Sequence, residues 1–167
     1  VYNVIDTRQS YLQQLLQQAL AAVGHPAEAE RSTHFSYEMV ALSHRTAARL
    51  GYDTAEFRNS PFVEVSGRKG LGVKADDLLD LVTEAAATEV RARNSELDDD
   101  ETQRIAAMIG VAAVRYFMIK YSRGKIIAFD LDEALSFEGE SGPYLQYAAV
   151  RAHNILNKLQ AKDAVTT

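Results

Sequence analysis

Ser66-Gly67-Arg68-Lys69-Gly70-Leu71-Gly72-Val73-Lys74-Ala75-Asp76-Asp77-Leu78-Leu79 is a glycine-punctuated basic loop that opens an acidic, amphipathic helix. Gly67, Gly70 and Gly72 let the backbone approach a ligand closely, while Arg68, Lys69 and Lys74 put positive charge where phosphate oxygens dock. A basic glycine-rich turn before a helix is also a common solvated loop, so its meaning depends on its flanks.

Upstream, the pattern mixes strands and helices. Residues 1 to 5 read as a buried strand, and Asp6 or Thr7 can cap the helix that follows. Leu12, Leu15, Leu16, Ala19, Leu20 and Val23 recur at helical spacing until Gly24 and Pro26 stop it. A strand followed by such a helix is a strand-helix unit of α/β type. Phe35 to Val40 gives a second extended segment, 43 to 50 a helix ending at Gly51, and Pro61 to Val65 alternates like a short strand.

Downstream the chain turns helical. Leu78, Leu79, Val82, Ala86 and Val90 stripe one helix to about Asn94, and Asp98-Asp99-Asp100 caps a second that ends near Gly124. Ile126 to Phe129 is predicted extended, with a short helix around 131 to 136. A last helix begins at Pro143, striped by Leu145, Ala148, Ala152, Ile155, Leu156 and Leu159. The predicted fold class is α/β going to mainly α, with a boundary at residues 74 and 75.

Bulk properties narrow the function classes. With 47% hydrophobic and 25% charged residues the chain has the composition of a globular protein, and no apolar run approaches membrane-spanning length. The absence of cysteine excludes a disulfide framework and a thiolate zinc site, which suits a cytoplasmic location. A net charge of −5 argues against a generally basic nucleic-acid binder, but clustering rather than total charge decides RNA binding. Asp98 to Glu101 and Asp130-x-Asp132-Glu133 lack the glycine and distal glutamate of a calcium loop, so they read as helix caps and no metal site is expected.

Two blocks resemble the arginyl-tRNA synthetases, a class I family. Val65 to Gly70 is similar to its nucleotide-binding loop Met-Ser-x-Arg-Lys-Gly. Leu135-Ser136-Phe137-Glu138-Gly139-Glu140-Ser141-Gly142-Pro143-Tyr144-Leu145-Gln146-Tyr147 is similar to its Leu-Ser-Phe-Glu-Gly-x-x-Gly-Pro-Tyr-x-Gln-Tyr signature. Val4 to Gln9 and His34 to Val40 match weaker blocks in the family's order, so the resemblance covers nearly the whole chain except about 41 to 64. It implies a partial Rossmann-like catalytic piece over 1–74, then a helical, bundle-like connecting region and the start of an anticodon-binding domain over 75–167. The family's His-x-Gly-His motif and guanidinium-gripping acid would lie upstream of Val1. The chain is therefore expected to be a middle piece, inactive by itself, of a protein whose first residue here is not Met.

The resemblance also implies roles. Ser66, Arg68 and Lys69 would act catalytically on the phosphates, with Gly67 and Gly70 shaping the same ATP-binding loop. The loop departs from the common class I form: Gly67 stands where a lysine is usual and Glu64 at its first lysine position. His34, Met39 and Val40 would border adenine, although a histidine beside aromatics and two apolar residues also suit a core. Gln9 would hold the substrate arginine through its amide, or else be an exposed polar residue of a first helical turn. Tyr144, Tyr147 and Arg151 are candidate tRNA contacts, since aromatics stack bases and arginine engages phosphate. Gly-Pro-Tyr at a helix start is equally a packing junction, and burial of both tyrosines is the expectation here. The family usually reads Tyr-Ala-His-Ala-Arg where this chain has Tyr147-Ala148-Ala149-Val150-Arg151.

The function implied is arginine–tRNA ligation by the longer protein, with ATP and its accompanying Mg2+ as cofactors. Its partners would be arginine and tRNA(Arg), with no membrane involved and a monomeric state. The alternative is a synthetase-like RNA-binding or regulatory protein without ligase activity.

Overall fold

The computed structural model describes residues 1–65, 67 and 72–165, the last five as backbone only. Two short parallel strands begin the chain. β1 (Tyr2–Asp6) lies beside β2 (Thr33–Tyr37) with Val4 opposite Phe35 and Asp6 opposite Tyr37. Parallel neighbours need a crossover, supplied by a 3-10 turn (Thr7–Gln9), α1 (Ser10–Ala22) and α2 (Pro26–Glu30). Gly24 ends α1 at φ +93°, which lets the His25 N–H reach back 2.9 Å to the Leu20 carbonyl. Pro26, predicted only as a stop, also starts α2, where its missing N–H costs nothing.

The predicted extended segment from Phe35 to Val40 is two strands, because the chain leaves β2 at Glu38. β3 (Val40–Leu42) pairs in parallel with β4 (Ile127–Phe129), Val40 facing Ile127. On its other side Leu42 exchanges two backbone bonds with Val63. That single bridge replaces the predicted strand from Pro61 to Val65, since Ser60 binds the Phe62 carbonyl and holds the segment in a turn. Between them α3 (His44–Arg49) is capped by Ser43 and closed by Gly51 at φ +82°.

α4 (Ala75–Arg93) and α5 (Asp99–Ile119) lie against each other over most of their length. A Cβ on Gly110 would stand 3.0 Å from the Thr83 hydroxyl, so their approach depends on that glycine. Asp98 caps α5 as predicted, its carboxylate accepting from the Glu101 N–H at 2.7 Å. The helix stops at Ile119 rather than near Gly124, because residues 122 to 125 close a turn in which Lys125 N–H binds the Ser122 carbonyl.

The core joins both sides of the loop. Phe117 packs edge-on to Phe129 at 5.0 Å between ring centres, with Leu42, Ala47, Val63, Val82 and Leu131 around them. Thr46 is buried but satisfied, its hydroxyl accepting from the Leu131 N–H at 2.9 Å. The packing therefore does not divide at residue 74: β4 from the second half completes the sheet begun by β3 in the first.

α6 (Leu131–Ala134), capped by Asp130, leads through the signature segment into α7 (Gly142–Val165). The start of α7 presses so closely on α5 that a Cβ on Gly142 would stand 2.8 Å from the Ala113 Cα.

Candidate active site

The carboxyl ends of parallel strands are where α/β sheets receive ligands, because the strand order leaves a crevice there. β1 ends at Asp6, and the 3-10 turn of Thr7, Arg8 and Gln9 follows at this edge. The Arg8 guanidinium grips Asp6 through Nε and Nη2, both at 3.0 Å, and the Arg8 N–H adds a bond of 2.7 Å. These bonds, the side-chain pair first, hold Asp6 below its ordinary carboxylate value. Gln9 is exposed and makes no capping bond to α1, so its amide is turned neither into the core nor onto the helix end.

Arg8 reaches further. Its Nη1 lies 3.5 Å from the Glu64 carboxylate, two residues before the loop that opens at Ser66. The end of β1 and the entrance of the loop are thus brought together across 56 positions of sequence. The exit is tied as well: the Tyr52 hydroxyl donates to the Gly72 carbonyl at 2.9 Å. Gly67 Cα sits 3.9 Å from where a Cβ on Gly72 would be, so the two ends of the loop return to each other. The segment from 41 to 64, which the family resemblance leaves out, supplies both anchors. The predicted phosphate residues Ser66, Arg68, Lys69 and Gly70 lie outside the described residues; Gly67 is exposed.

On the neighbouring strand, His34 is half-buried and its Nε2 donates to the Ile5 carbonyl at 2.9 Å, bridging β2 to β1. Met39 is half-buried and Val40 more open, at 41% exposure. The segment they occupy is held from the other side by the turn after α5. Glu38 N–H binds the Arg123 carbonyl at 2.8 Å, Ile127 N–H binds the Met39 carbonyl at 3.1 Å, and the Arg123 side chain donates to the Ser36 carbonyl at 3.0 Å. Arg123 had no signal in the sequence beyond membership of a Ser-Arg-Gly-Lys turn.

The signature segment forms a second locality. Lys120, nearly buried, donates to Glu133 at 2.5 Å and to the Glu140 carbonyl at 3.2 Å, lying over the rings of Phe117 and Tyr121. Burial works against its charge, but Glu133 and the Tyr121 hydroxyl outweigh it and raise the Lys120 pKa above the ordinary lysine value. Ser141 is buried and its hydroxyl binds the Ser136 carbonyl, closing the loop between them. Phe137 carries the Arg93 guanidinium 3.7 Å above its ring.

The two tyrosines are not buried as expected. Tyr144 and Tyr147 are 47% and 55% exposed, so the helix entry is not buried through them. Ser141, Gly142 and Pro143 are the buried residues, and Gly142 lies against the α5 backbone at Ala112 and Ala113. Arg151 is exposed on the same helix. A cavity of about 590 Å³ opens between α4 and the signature segment, lined by Arg49, Glu89, Arg93, Ser136 and Phe137. It includes none of the predicted site residues.

The family model for the class I (R) tRNA synthetase catalytic domain matches residues 1–131. An arginine–tRNA ligase of Thermus thermophilus is 42% identical over 156 residues, which cover 93% of this chain and 23% of that protein. One from Thermococcus sibiricus is 37% identical over 95% of this chain and 22% of its own length. Among solved structures, a Thermus thermophilus arginyl-tRNA synthetase superposes with a TM-score of 0.69 at 37% identity, over 95% of this chain and 23% of that one. The Plasmodium falciparum arginyl-tRNA synthetase shares the fold, with a TM-score of 0.66 at 18% identity. The chain spans about a quarter of the length of the relatives it matches, and it belongs to the class I arginyl-tRNA synthetase family.

Proposed function

We propose that this chain works within an arginine–tRNA ligase, supplying part of the site that activates arginine with ATP. In that reaction an arginine carboxylate oxygen attacks the α-phosphorus, the bond to the bridging oxygen breaks, and pyrophosphate leaves. A hydroxyl of the terminal adenosine of tRNA(Arg) then attacks the arginyl carbonyl and releases AMP. The observation that carries the reading is the Arg8–Glu64 pair, which sets the end of β1 beside the entrance of the glycine-rich loop. Amino acid and triphosphate must meet at such a junction.

Each group has a defined task in this scheme. The Gln9 amide orients the arginine substrate, and the segment containing His34, Met39 and Val40 borders adenine. Arg68, Lys69 and the loop amides at Ser66, Gly67 and Gly70 stabilise charge that grows on the phosphates as the bond breaks. Magnesium arrives with ATP, bound to its phosphates; the described residues contain no cluster of three metal-ligating side chains. Tyr144, Tyr147 and Arg151 share an exposed helix and support a tRNA-facing role, by stacking and by phosphate contact. No described helix is long and apolar enough to cross a membrane, and a monomeric, cytoplasmic enzyme is the setting proposed.

The test is arginine-dependent exchange of pyrophosphate into ATP by the intact protein. Lys69→Ala is expected to slow adenylation about a hundredfold, the usual loss when one preorganised donor to a developing oxyanion is removed. Gln9→Ala should raise the KM for arginine and leave that for ATP nearly unchanged. tRNA binding without any exchange would instead favour an RNA-binding or regulatory protein.

A further inference from the structure

We infer that Arg123, outside every sequence block that the function uses, is a positioning residue for the nucleotide segment. The inference rests on the reading that residues 34 to 40 border adenine. A strand end that recognises a base through its backbone is useful only if that backbone is fixed before the ligand arrives. β2 is paired through Tyr37 and β3 begins at Val40, so Glu38 and Met39 are the link between two separate strand pairs.

The turn after α5 and the start of β4 close that gap with three hydrogen bonds to the segment's backbone and one aromatic contact. The Arg123 Nη1 donates to the Ser36 carbonyl at 3.0 Å, and its guanidinium carbon lies 3.8 Å above the Phe35 ring. Its carbonyl accepts the Glu38 N–H at 2.8 Å, and four residues later Ile127 donates to the Met39 carbonyl at 3.1 Å. Thus one residue holds the segment by side chain and main chain together, across 87 positions of sequence.

The planar guanidinium suits this double task. Its face covers Phe35 while an in-plane N–H meets the carbonyl, a combination that a lysine ammonium cannot reproduce. Arg123 is itself exposed, so removing its side chain opens no cavity in the core. The main-chain bond to Glu38 survives any substitution there, which confines the effect to the side chain.

The experiment measures pyrophosphate exchange in the intact synthetase with Arg123→Ala, Arg123→Lys, Met39→Ala and, as a control on the same turn, Lys125→Ala. Arg123→Ala is expected to raise the KM for ATP about fivefold, with kcat, the KM for arginine and the thermal midpoint little changed, as for loss of one exposed charge-assisted bond. Arg123→Lys should recover less than half of that loss, and Lys125→Ala should resemble the wild type. An ATP effect for Met39→Ala with none for Arg123→Ala overturns the positioning role and leaves the adenine reading standing. No ATP effect for either overturns both. Equal rises in KM for ATP and arginine with a lowered thermal midpoint, or full rescue by lysine, would reduce Arg123 to a general structural contact.

Discussion

The two strand pairs of this chain begin alike and end in different surroundings. Around β3 and β4, Phe117, Phe129, Leu131 and Val82 are all below 2% exposure. Around β1 and β2, Val4 is 63% exposed and Leu12, Leu15 and Leu16 of the crossover helix are all at 45% or more. α7 behaves like α1, with Leu145, Ile155, Leu156 and Leu159 all more than half exposed. Both sets of residues keep a helical or strand period. Periodicity therefore marks the face an element offers, whereas burial depends on whether another element lies against it.

The strongest way to break this contrast is at the centre of the buried set. Phe129→Ala in the 167-residue chain removes a ring packed edge-on to Phe117 and is expected to cost about 4 kcal/mol, within the range for aromatic truncations in cores. Chemical denaturation reads it directly through the midpoint. A loss under about 1 kcal/mol would show that this core is no more organised than the exposed faces.

A smaller effect is expected where the two kinds of surface meet. Gly142 is buried against the α5 backbone, while the helix it begins soon stands clear of it. An added Cβ would lie 2.8 Å from the Ala113 Cα and 2.9 Å from the Ala112 carbonyl oxygen, atoms that cannot rotate away. Gly142→Ala should cost about 2 kcal/mol, as overpacking of a close contact does. An unchanged thermal midpoint would mean that α7 is not seated on α5.

The next test uses acid. Asp130 caps α6, accepting the Glu133 N–H at 2.9 Å. Burial works against its charge, but the Glu133 N–H, the Ser43 hydroxyl and Arg45 prevail and leave its pKa below the ordinary 3.8. A depressed folded value gives stability that is fully present above the unfolded pKa and is lost as pH falls through the folded one. The wild type should therefore weaken below about pH 4, and Asp130→Asn should flatten that part of the curve while retaining a capping oxygen. Parallel acid limbs would remove Asp130 from the account.

Much of this architecture is written locally. The Asp98 cap, the glycines after α1 and α3, the start of α4 at Ala75 and the capped turn at Asp130 each follow from residues within a few positions. The partners of those elements are not local. Nothing in the short extended run at Ile127 indicates that it lies beside Val40, and Arg123 meets Ser36 across two long helices. The site divides in the same way. Gln9 and the loop are proposed from their resemblance to a motif, but Arg8–Glu64 and Tyr52–Gly72, which tie the flanks of the loop, depend on the tertiary fold. Lys120 was hidden for another reason: a charge at the apolar end of a helix reads as solvated until Glu133 and the Glu140 carbonyl are seen beside it.

The smallest expected effect sharpens the comparison most, because it concerns a residue that the sequence treats as core. Leu15 lies in the middle of the α1 stripe, with the same spacing that in α4 produces the buried Val82, Ala86 and Val90. It is nevertheless 47% exposed. Truncation removes little area already withheld from water and leaves no cavity, and alanine is the better helix former, so these effects oppose one another. Leu15→Ala in the 167-residue chain should shift stability by less than about 0.5 kcal/mol, as substitutions at open positions do. Val82→Ala, on the buried face of α4, should cost several times more although it deletes fewer carbons. If denaturation midpoints place the two variants at equal cost, α1 must be covered by the rest of the chain in solution, and the contrast between the two strand pairs disappears.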